Sequence, residues 1–222
     1  MSNAKDMASI IYEDMRDRIL DLSLEPGSPI SEAEICEKYD ASRTPVRTAF
    51  HRLADQGLIE LLPYQQSTVS LIDMERVKEF IYARVAIESN VITDFISHYQ
   101  PLLVEDISHL IRKQQITMQE ETFRAQDFYY LDVQMHEIWF ASEKKLALWK
   151  MFNVSSDYTR VRILDIKEEK DYQAILDDHV ELIQAIRDRN VDAVHPIISR
   201  HLNGGVRRIE ERMNDKIKKY FK

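Results

Sequence analysis

Four residues in the C-terminal two thirds of the chain combine the side-chain types that bind transition metals. Asp132 and His136 stand four residues apart, so on a helix their side chains lie on one face. His179 and His201 each lie in a later apolar stretch, among isoleucine and leucine at helical spacing. Carboxylate oxygen and imidazole nitrogen are ligands of zinc and related divalent ions. The four side chains can therefore complete a site of three nitrogens and one oxygen.

The residues around Asp132 favour this hypothesis, because they predict a buried position for its carboxylate. The flanking apolar and aromatic side chains are Phe128, Leu131, Met135 and Trp139 on one side, and Tyr129, Val133 and Phe140 on the other. An unpartnered carboxylate in such surroundings costs on the order of several kcal/mol, so a cation should lie beside it. The alternative is that the histidines are core residues held by hydrogen bonds, which is the commoner role of a single buried histidine.

A metal site with open coordination positions could also serve an enzyme by hydrolytic or oxidative chemistry. Beside Asp132, however, the sequence offers no further Glu or His as a general base, although Tyr129 is close. The chain has four glycines, none of them between residues 58 and 203, and no glycine-rich phosphate loop or nucleophile elbow. We therefore expect a binding protein and not an enzyme.

Residues 42–53 have the composition of a helix that reads DNA. Ser42 suits the N-cap, and Pro45 is tolerated in the first helical turn. Apolar residues recur at helical spacing and predict a core-facing stripe of Val46, Ala49, Phe50 and Leu53. The opposite face then presents guanidinium, hydroxyl and imidazole groups to solvent, from Arg43, Thr44, Arg47, Thr48 and His51.

The segments around this helix predict a winged helix-turn-helix. Ser31 and Glu34 have capping-box spacing and predict a helix over residues 31–39, followed by a tight turn at Asp40-Ala41. Upstream, the apolar stripe Ile11, Met15, Ile19 and Leu22 predicts a first helix that stops at Glu25-Pro26-Gly27. Downstream, Leu58 to Leu62 and Thr68 to Ile72 can pair as strands across Pro63 to Ser67.

Length and composition suit two domains. With 222 residues and 44% hydrophobic content, the chain can hold a winged helix-turn-helix over residues 1–72 and an all-helical bundle over residues 73–222. The predicted fold class is mostly α. Cys36 is the one cysteine, and the sequence shows neither a signal peptide nor an apolar run of membrane length. We expect a cytoplasmic protein that does not contact a membrane.

Charge is unevenly distributed. Residues 1–72 carry 7 Lys+Arg against 12 Asp+Glu, a balance of −5, yet Arg43, Arg47 and Arg52 occur in residues 41–54 without an acidic neighbour. This pattern predicts weak nonspecific DNA binding and dependence on a dimer. Val206 to Lys222 has 7 Lys+Arg against 3 Asp+Glu, a balance of +4, and is interpreted as the solvated end of the last helix.

The N-terminal part of the chain resembles the GntR family of bacterial transcription regulators. The matching residues are Pro26-Gly27, Ile30-Ser31-Glu32, Ser42-Arg43-Thr44-Pro45-Val46-Arg47, Leu53, Gly57-Leu58-Ile59 and Pro63. The chain departs from the family at Ala33, where an arginine is usual, and in the wing Pro63-Tyr64-Gln65-Gln66-Ser67, which is usually rich in arginine. Fewer phosphate contacts should follow. The alternative is a winged helix that contacts protein.

This resemblance implies a homodimer that binds a pseudo-palindromic operator in double-stranded DNA. The residues that it implies for DNA binding are Ser42, Arg43, Thr44, Pro45, Arg47, Thr48, Gln65 and Gln66.

The C-terminal part resembles the FCD effector domain of the FadR subfamily, a bundle of six or seven helices. In many members an Asp-x-x-x-His and two later histidines bind a metal, and those positions fall on Asp132, His136, His179 and His201. The resemblance implies a divalent ion, zinc first, with nickel, manganese or cobalt as alternatives. It also implies a small carboxylate or hydroxy-acid effector. A purely structural metal is the remaining alternative.

The family's Arg-x-x-x-Glu pattern is matched by Arg84 and Glu88. Arg84 is either one half of a surface ion pair or a residue near the effector cavity. The other effector-binding candidates are Tyr129, Arg160 and Arg162.

Overall fold

A computed structural model of the protein describes residues 6–62, 66–152, 155–168 and 172–222. The chain divides into two units, one made of Met1–Met74 with Met213–Lys222 and the other of Glu75–Arg212. The second unit thus begins close to the predicted boundary at residue 72. The last ten residues, which the sequence had assigned to the helical bundle, belong to the first unit.

The first unit is a winged helix-turn-helix, as predicted. Its helices are α1 (Met7–Leu20), α2 (Glu32–Lys38) and α3 (Arg43–Asp55), and its strands are β1 (Pro29–Ile30), β2 (Ile59–Glu60) and β3 (Ser67–Val69). The strands form one antiparallel sheet in the order β1-β3-β2, with Pro29 opposite Thr68 and Ile59 opposite Val69. Strand β1 was not predicted, because two residues are too few to show an alternating pattern.

The core of this unit forms where the apolar stripes of α1 and α3 meet. Val46, Ala49, Phe50 and Leu53 are at most 1% exposed, which confirms the predicted inner face of α3. Asp40 has a left-handed φ of 45° at the turn between α2 and α3, a conformation that Asp tolerates better than most residues.

Helix α1 is shorter than predicted. It ends at Leu20, five residues before Glu25-Pro26-Gly27, because the backbone turns into the left-handed region at Leu22 with a φ of 62°. Leu22 is nevertheless buried. It is therefore a core residue that follows the helix, and not part of the helix. Apolar spacing alone therefore overestimated the length of this helix.

The C-terminal segment is not the solvated end of the last helix. After α10 ends at Glu211, Asn214 caps a new helix, α11 (Asp215–Lys218), by accepting from the backbone N–H groups of Lys216 and Ile217. The backbone N–H of Ile72 then donates to the carbonyl of Tyr220 at 2.8 Å, and the N–H of Lys222 donates to the carbonyl of Ile72 at 3.0 Å. This segment therefore extends the first unit.

The second unit is all helical in its described residues, as predicted. Its elements are α4 (Met74–Ser97), α5 (Pro101–Thr117), α6 (Ala125–Ser142), α7 (Leu146–Phe152), α8 (Ser156–Glu168), α9 (Gln173–Arg187), a 3-10 turn (Val191–Ala193) and α10 (Val194–Glu211). Helix α6 packs against α5, α7 and α8, while α10 packs against α8 and α9. In the described part of the chain, every helix is too short or too polar to cross a membrane.

Candidate functional site

Three helices of the second unit bring the four predicted metal ligands together. Asp132 and His136 project from one face of α6, His179 comes from α9 and His201 from α10. Each residue offers one ligand atom, and these atoms all lie within 4.8 Å of one another. All four side chains are at most 3% exposed. Residues up to 69 positions apart in the sequence thus form one enclosed cluster.

The distances within the cluster suit ligands that share one ion. Oδ1 of Asp132 lies 3.0 Å from Nε2 of His179 and 3.6 Å from Nε2 of His201, and Nε2 of His136 lies 3.3 Å from Nε2 of His201. Ligand atoms bound to one tetrahedral zinc, with bonds of about 2.05 Å, lie about 3.3 Å apart. These three distances are therefore close to the spacing of zinc ligands, while the four ligand atoms together spread over up to 4.8 Å.

Two of these atoms are buried polar atoms without a hydrogen bond. Oδ1 of Asp132 and Nε2 of His179 have no hydrogen-bond partner within the described ranges, although they are close enough for one. Unsatisfied buried polar atoms are rare in folded proteins. A cation between them would satisfy both, so this donor set fits a divalent metal ion.

In two of the histidines, the ring nitrogen that faces away from the cluster contacts a buried polar side chain. Nδ1 of His136 lies 2.7 Å from Oε2 of Glu88 on α4, and Nδ1 of His179 lies 3.0 Å from Oε1 of Gln114 on α5. Glu88 also accepts a hydrogen bond from Nε of Arg84. Metal-binding histidines usually donate their second ring N–H to such a partner, which orients the ring.

Burial and charge together determine the protonation of the cluster. Burial alone would raise the pKa of Asp132, but His179, His136, His201 and Arg162 outweigh it and hold the pKa well below the usual range. Burial lowers the pKa of both His179 and His201. The cluster therefore presents a carboxylate and at least two neutral imidazoles at neutral pH, the forms that bind a metal.

The Arg84–Glu88 pair is buried, so its interpretation as a surface ion pair is wrong. The side chains are 6% and 0% exposed. Burial alone would raise the pKa of Glu88, but Arg84 and His136 lower it, so the carboxylate stays charged. Arg84 therefore orders the wall of the cluster through Glu88.

Arg162 is an effector-binding candidate that lies beside the cluster. Its Nη2 lies 3.9 Å from Oδ1 of Asp132 and its Nη1 lies 3.6 Å from Oδ2 of Asp165. The side chain is 1% exposed, and none of its three guanidinium nitrogens has a hydrogen-bond partner in the described residues. Asp165 is itself held by two hydrogen bonds from Arg208, of 2.9 and 2.6 Å. Arg162 is thus a buried cation with hydrogen-bond donors to spare.

The other two candidates have different surroundings. The guanidinium of Arg160 donates to Oδ1 of Asp157 at 2.5 Å. The hydroxyl of Tyr129 lies 3.4 Å from Oγ1 of Thr159, and the charges of Asp132 and Arg162 both contribute to its pKa, which burial raises. Tyr129 is therefore close to the cluster, whereas the described contact of Arg160 is with Asp157.

The first unit presents the predicted polar face of α3. Arg43, Thr44, Arg47 and Thr48 are exposed, and Pro45 is half-buried. Arg43, Arg47 and Gln66 line an open groove of about 690 Å³, together with residues of α2, α3 and β3. Gln65 lies outside the described residues. The groove therefore combines helix and wing residues, as expected of a DNA-binding surface.

Two arginines of this unit have partners that the sequence did not reveal. Nε of Arg47 donates to both carboxylate oxygens of Glu32, at 3.3 and 3.0 Å. Arg52 donates to Ser9 at 3.1 Å and its guanidinium lies 4.0 Å from the centroid of the Tyr12 ring. Glu32 therefore offsets the positive charge of Arg47, whereas Arg52 is positioned by neutral partners and keeps its charge.

Ser42 occupies the N-cap of α3 as predicted, but its hydroxyl accepts no hydrogen bond from that helix. By contrast, Ser31 accepts from the backbone N–H of Glu34 at 3.4 Å and caps α2. The exposed hydroxyl of Ser42 is thus not used for capping.

The role of Gln114 was not predicted from the sequence. A signal was present, because Val104, Ile107, Ile111 and Gln114 recur at helical spacing, which places an amide on the apolar face of α5. A buried amide requires hydrogen-bond partners. The identity of the partner, His179, depended on the packing of α5 against α9.

Comparisons with known proteins agree with both units. Residues 7–69 match the family profile described as "Bacterial regulatory proteins, gntR family", and residues 79–204 match the FCD domain. The chain is 29% identical over 209 residues to the HTH-type transcriptional repressor RspR of Escherichia coli K12, covering 92% of this chain and 91% of that protein. It is 27% identical over 196 residues to the gluconate operon transcriptional repressor of Bacillus subtilis, covering 86% and 79%.

Solved structures show the same fold. Escherichia coli McbR/YncC superposes with a TM-score of 0.73 at 14% identity, covering 95% of this chain and 100% of that chain. The crystal structure of a transcriptional regulator GntR from Rhodococcus sp. RHA1 superposes with a TM-score of 0.72 at 18% identity, covering 93% of this chain and 99% of that chain. The curated relatives are transcription regulators, in agreement with the prediction that the chain is not an enzyme. The chain belongs to the GntR family of bacterial regulators, and it is a DNA-binding transcription regulator with an FCD effector-binding domain.

Proposed function

We propose that this regulator changes its operator affinity when a small carboxylate or hydroxy acid binds at a metal centre in the FCD domain. The observation that carries the proposal is the arrangement at Asp132. Its Oδ1 lies near the nitrogens of His179 and His201, and Nη2 of Arg162, a buried cation without a hydrogen bond to any described residue, lies 3.9 Å away. This combination supports both a metal ion and an anionic ligand.

The residues that would hold the metal are Asp132, His136, His179 and His201. Three imidazoles and one carboxylate suit zinc first, and nickel, manganese or cobalt also accept this set. A bound divalent ion supplies a Lewis-acidic anchor for an oxyanion. FadR-subfamily membership is consistent with the FCD match.

Arg162 is the residue that would bind the effector carboxylate. Its unpaired guanidinium donors can form the bidentate pair that arginine makes with carboxylates. Tyr129 and Arg160 remain further proposed effector contacts; the Tyr129 hydroxyl lies 3.4 Å from Thr159, and Arg160 donates to Asp157. Arg84 contributes indirectly, by holding Glu88. A relative is named for the gluconate operon, and gluconate is a hydroxy acid, which supports this effector class.

The DNA-binding part of the proposal places a homodimer on a pseudo-palindromic operator in the cytoplasm. One recognition helix reads only a few bases, whereas a two-fold dimer reads both half-sites. The proposed contacts are Ser42, Arg43, Thr44, Pro45, Arg47, Thr48, Gln65 and Gln66. Since three helices supply the ligands, the occupancy of the site can alter their packing and thereby the geometry of the dimer.

The first test is elemental analysis of the purified protein with an Asp132→Ala, His179→Ala double variant. We expect about one divalent ion per chain, lost in the double variant. The matched control is His195→Ala, because His195 is an exposed histidine on α10, the helix that carries His201. Wild-type protein that holds no ion after preparation with excess metal would contradict the proposal.

The second test measures operator affinity of the zinc-loaded protein against a panel of carboxylic and hydroxy acids. The proposal requires at least one acid to change the affinity in the wild type and not in the double variant. Identical operator affinity in every metal and ligand state would contradict it. A purely structural metal would instead show as loss of folding on chelation without any response to acids.

A further inference from the structure

Gln114 is a polar residue in the apolar core of the FCD domain. Its side chain is 0% exposed, and it continues the buried stripe of α5 that includes Val104, Ile107 and Ile111. A buried amide destabilises the fold unless its hydrogen-bonding groups find partners. Both ends of the Gln114 amide have one.

The partners of Gln114 determine which way its amide points. Its Nε2 donates to the backbone carbonyl of Phe128 at 3.4 Å, and its Oε1 lies 3.0 Å from Nδ1 of His179. A carbonyl oxygen can only accept, so the NH₂ group must face Phe128 and the amide oxygen must face His179. The hydrogen of this second contact must then come from Nδ1 of His179.

This contact determines the tautomer of His179. A neutral imidazole carries one ring proton, so a proton on Nδ1 leaves Nε2 with a lone pair. That Nε2 lies 3.0 Å from Oδ1 of Asp132, and in this tautomer it carries no hydrogen to donate to that oxygen. The tautomer therefore explains why neither atom has a hydrogen bond within the described chain, and it is the tautomer that binds a metal through Nε2.

Gln114 also connects two helices that carry ligands. Phe128 lies one turn before Asp132 on α6, whereas His179 is on α9. Helix α5 packs against both, and Gln114 bridges them through one side chain. It can thus align the His179 ring with Asp132.

We propose that Gln114 is a positioning residue of the metal centre: it fixes the tautomer and the ring orientation of His179 so that Nε2 faces the ion. The inference rests on the proposed function, because it requires the cluster to bind a metal. Gln114 thereby orients the ring of His179 as the carboxylate of Glu88 orients the ring of His136, but without adding a negative charge.

The test compares Gln114→Met, which keeps the volume and removes the acceptor, with Gln114→Glu, which keeps an acceptor at the same place. Zinc affinity is measured by competition with a chromophoric chelator. Loss of a partner of this kind weakens metal binding roughly 10–100-fold, which we expect for Gln114→Met. Gln114→Glu should bind zinc more tightly than Gln114→Met, since it still accepts from Nδ1, although it loses the donor to the Phe128 carbonyl. The control is Gln184→Met, an exposed glutamine on α9.

A second readout separates positioning from a purely structural role. Ring ¹⁵N chemical shifts of metal-free protein report the tautomer of each histidine. We expect the Nδ1–H tautomer of His179 in the wild type and in Gln114→Glu, and a mixture of tautomers in Gln114→Met. The Nε2–H tautomer in the wild type would overturn the inference, even if Gln114→Met does not fold. Unchanged zinc affinity and tautomer in a folded Gln114→Met would also overturn it.

The two proposals can fail separately. A wild type that binds no zinc overturns the metal-dependent function, whatever the tautomer of His179. A wild type that binds zinc with an affinity insensitive to Gln114 overturns only the role of Gln114.

Discussion

Asp132 and His179 lie 3.0 Å apart through Oδ1 and Nε2, in the interior of a helical domain, without a hydrogen bond between them. The Gln114 contact assigns the ring proton of His179 to the other nitrogen. A carboxylate oxygen and an imidazole lone pair therefore face each other. A cation is the group that turns this contact into an attractive one.

Metal removal should destabilise the FCD domain. A ligand that binds only the folded state adds about 2.7 kcal/mol at a free concentration 100 times its Kd. We expect excess chelator to lower the melting temperature of the wild type, measured by circular dichroism. Asp132→Asn removes the anionic ligand, so its melting temperature should be the same with and without chelator. A wild-type melting temperature that does not change with chelator would contradict this prediction.

Arg162 should control effector binding more than metal binding. Hydrogen bonds to charged groups contribute about 1.5–3 kcal/mol, so Arg162→Met should weaken binding of a responsive acid roughly 10–100-fold. The metal content should stay near that of the wild type, because the four ligands are unchanged. Isothermal titration with the acid and elemental analysis measure the two effects. Arg189→Met is the control, since Arg189 is an exposed arginine of the same domain. Equal acid affinity in both variants would remove Arg162 from the effector site.

The metal-free domain should lose stability as the pH falls. His179 and His201 have folded-state pKa values lowered by burial from the usual 6.5. Below pH 6.5 the unfolded chain therefore binds protons that the folded chain does not, and the free energy of unfolding decreases. Denaturant titrations of chelated protein should show this decrease between about pH 7 and pH 5.5, above the range of ordinary carboxylates. A free energy of unfolding that stays constant or rises as the pH falls to 5.5 would contradict this prediction.

Glu32 should weaken DNA binding by occupying Arg47. The pair is partly exposed, with side chains 58% and 37% accessible, so it separates at little cost. Glu32→Gln should release Arg47 and remove a negative charge from the groove, which we expect to strengthen operator binding several-fold at low salt. Arg47→Ala should weaken it and reduce the salt dependence, measured by fluorescence anisotropy.

Glu34→Gln is the control for this prediction, because Glu34 is an exposed residue of α2 and its substitution makes the same change in net charge. An equal gain in Glu34→Gln would show that only net charge matters. A loss of affinity in Glu32→Gln would show that Glu32 holds Arg47 in its binding position.

Much of this protein could be predicted from local sequence patterns. The inner face of α3, the capping of α2 by Ser31 and the all-helical second unit depend on interactions between residues close in the chain, which periodicity and capping residues report. The four metal-binding candidates were also recognisable, because a carboxylate and histidines stand at apolar positions. Residue type and helical phase thus indicated which polar groups would be buried.

Other features were decided only by tertiary packing. The course of residues 213–222 after Asn214, the partnership of Glu32 with Arg47, and the contacts of Gln114 and Arg162 join residues that are distant in the sequence. Periodicity shows that a side chain is buried but not which side chain it meets, since that depends on how the helices pack. The sequence therefore indicated the candidate ligands, and the tertiary structure determined which side chains contact them.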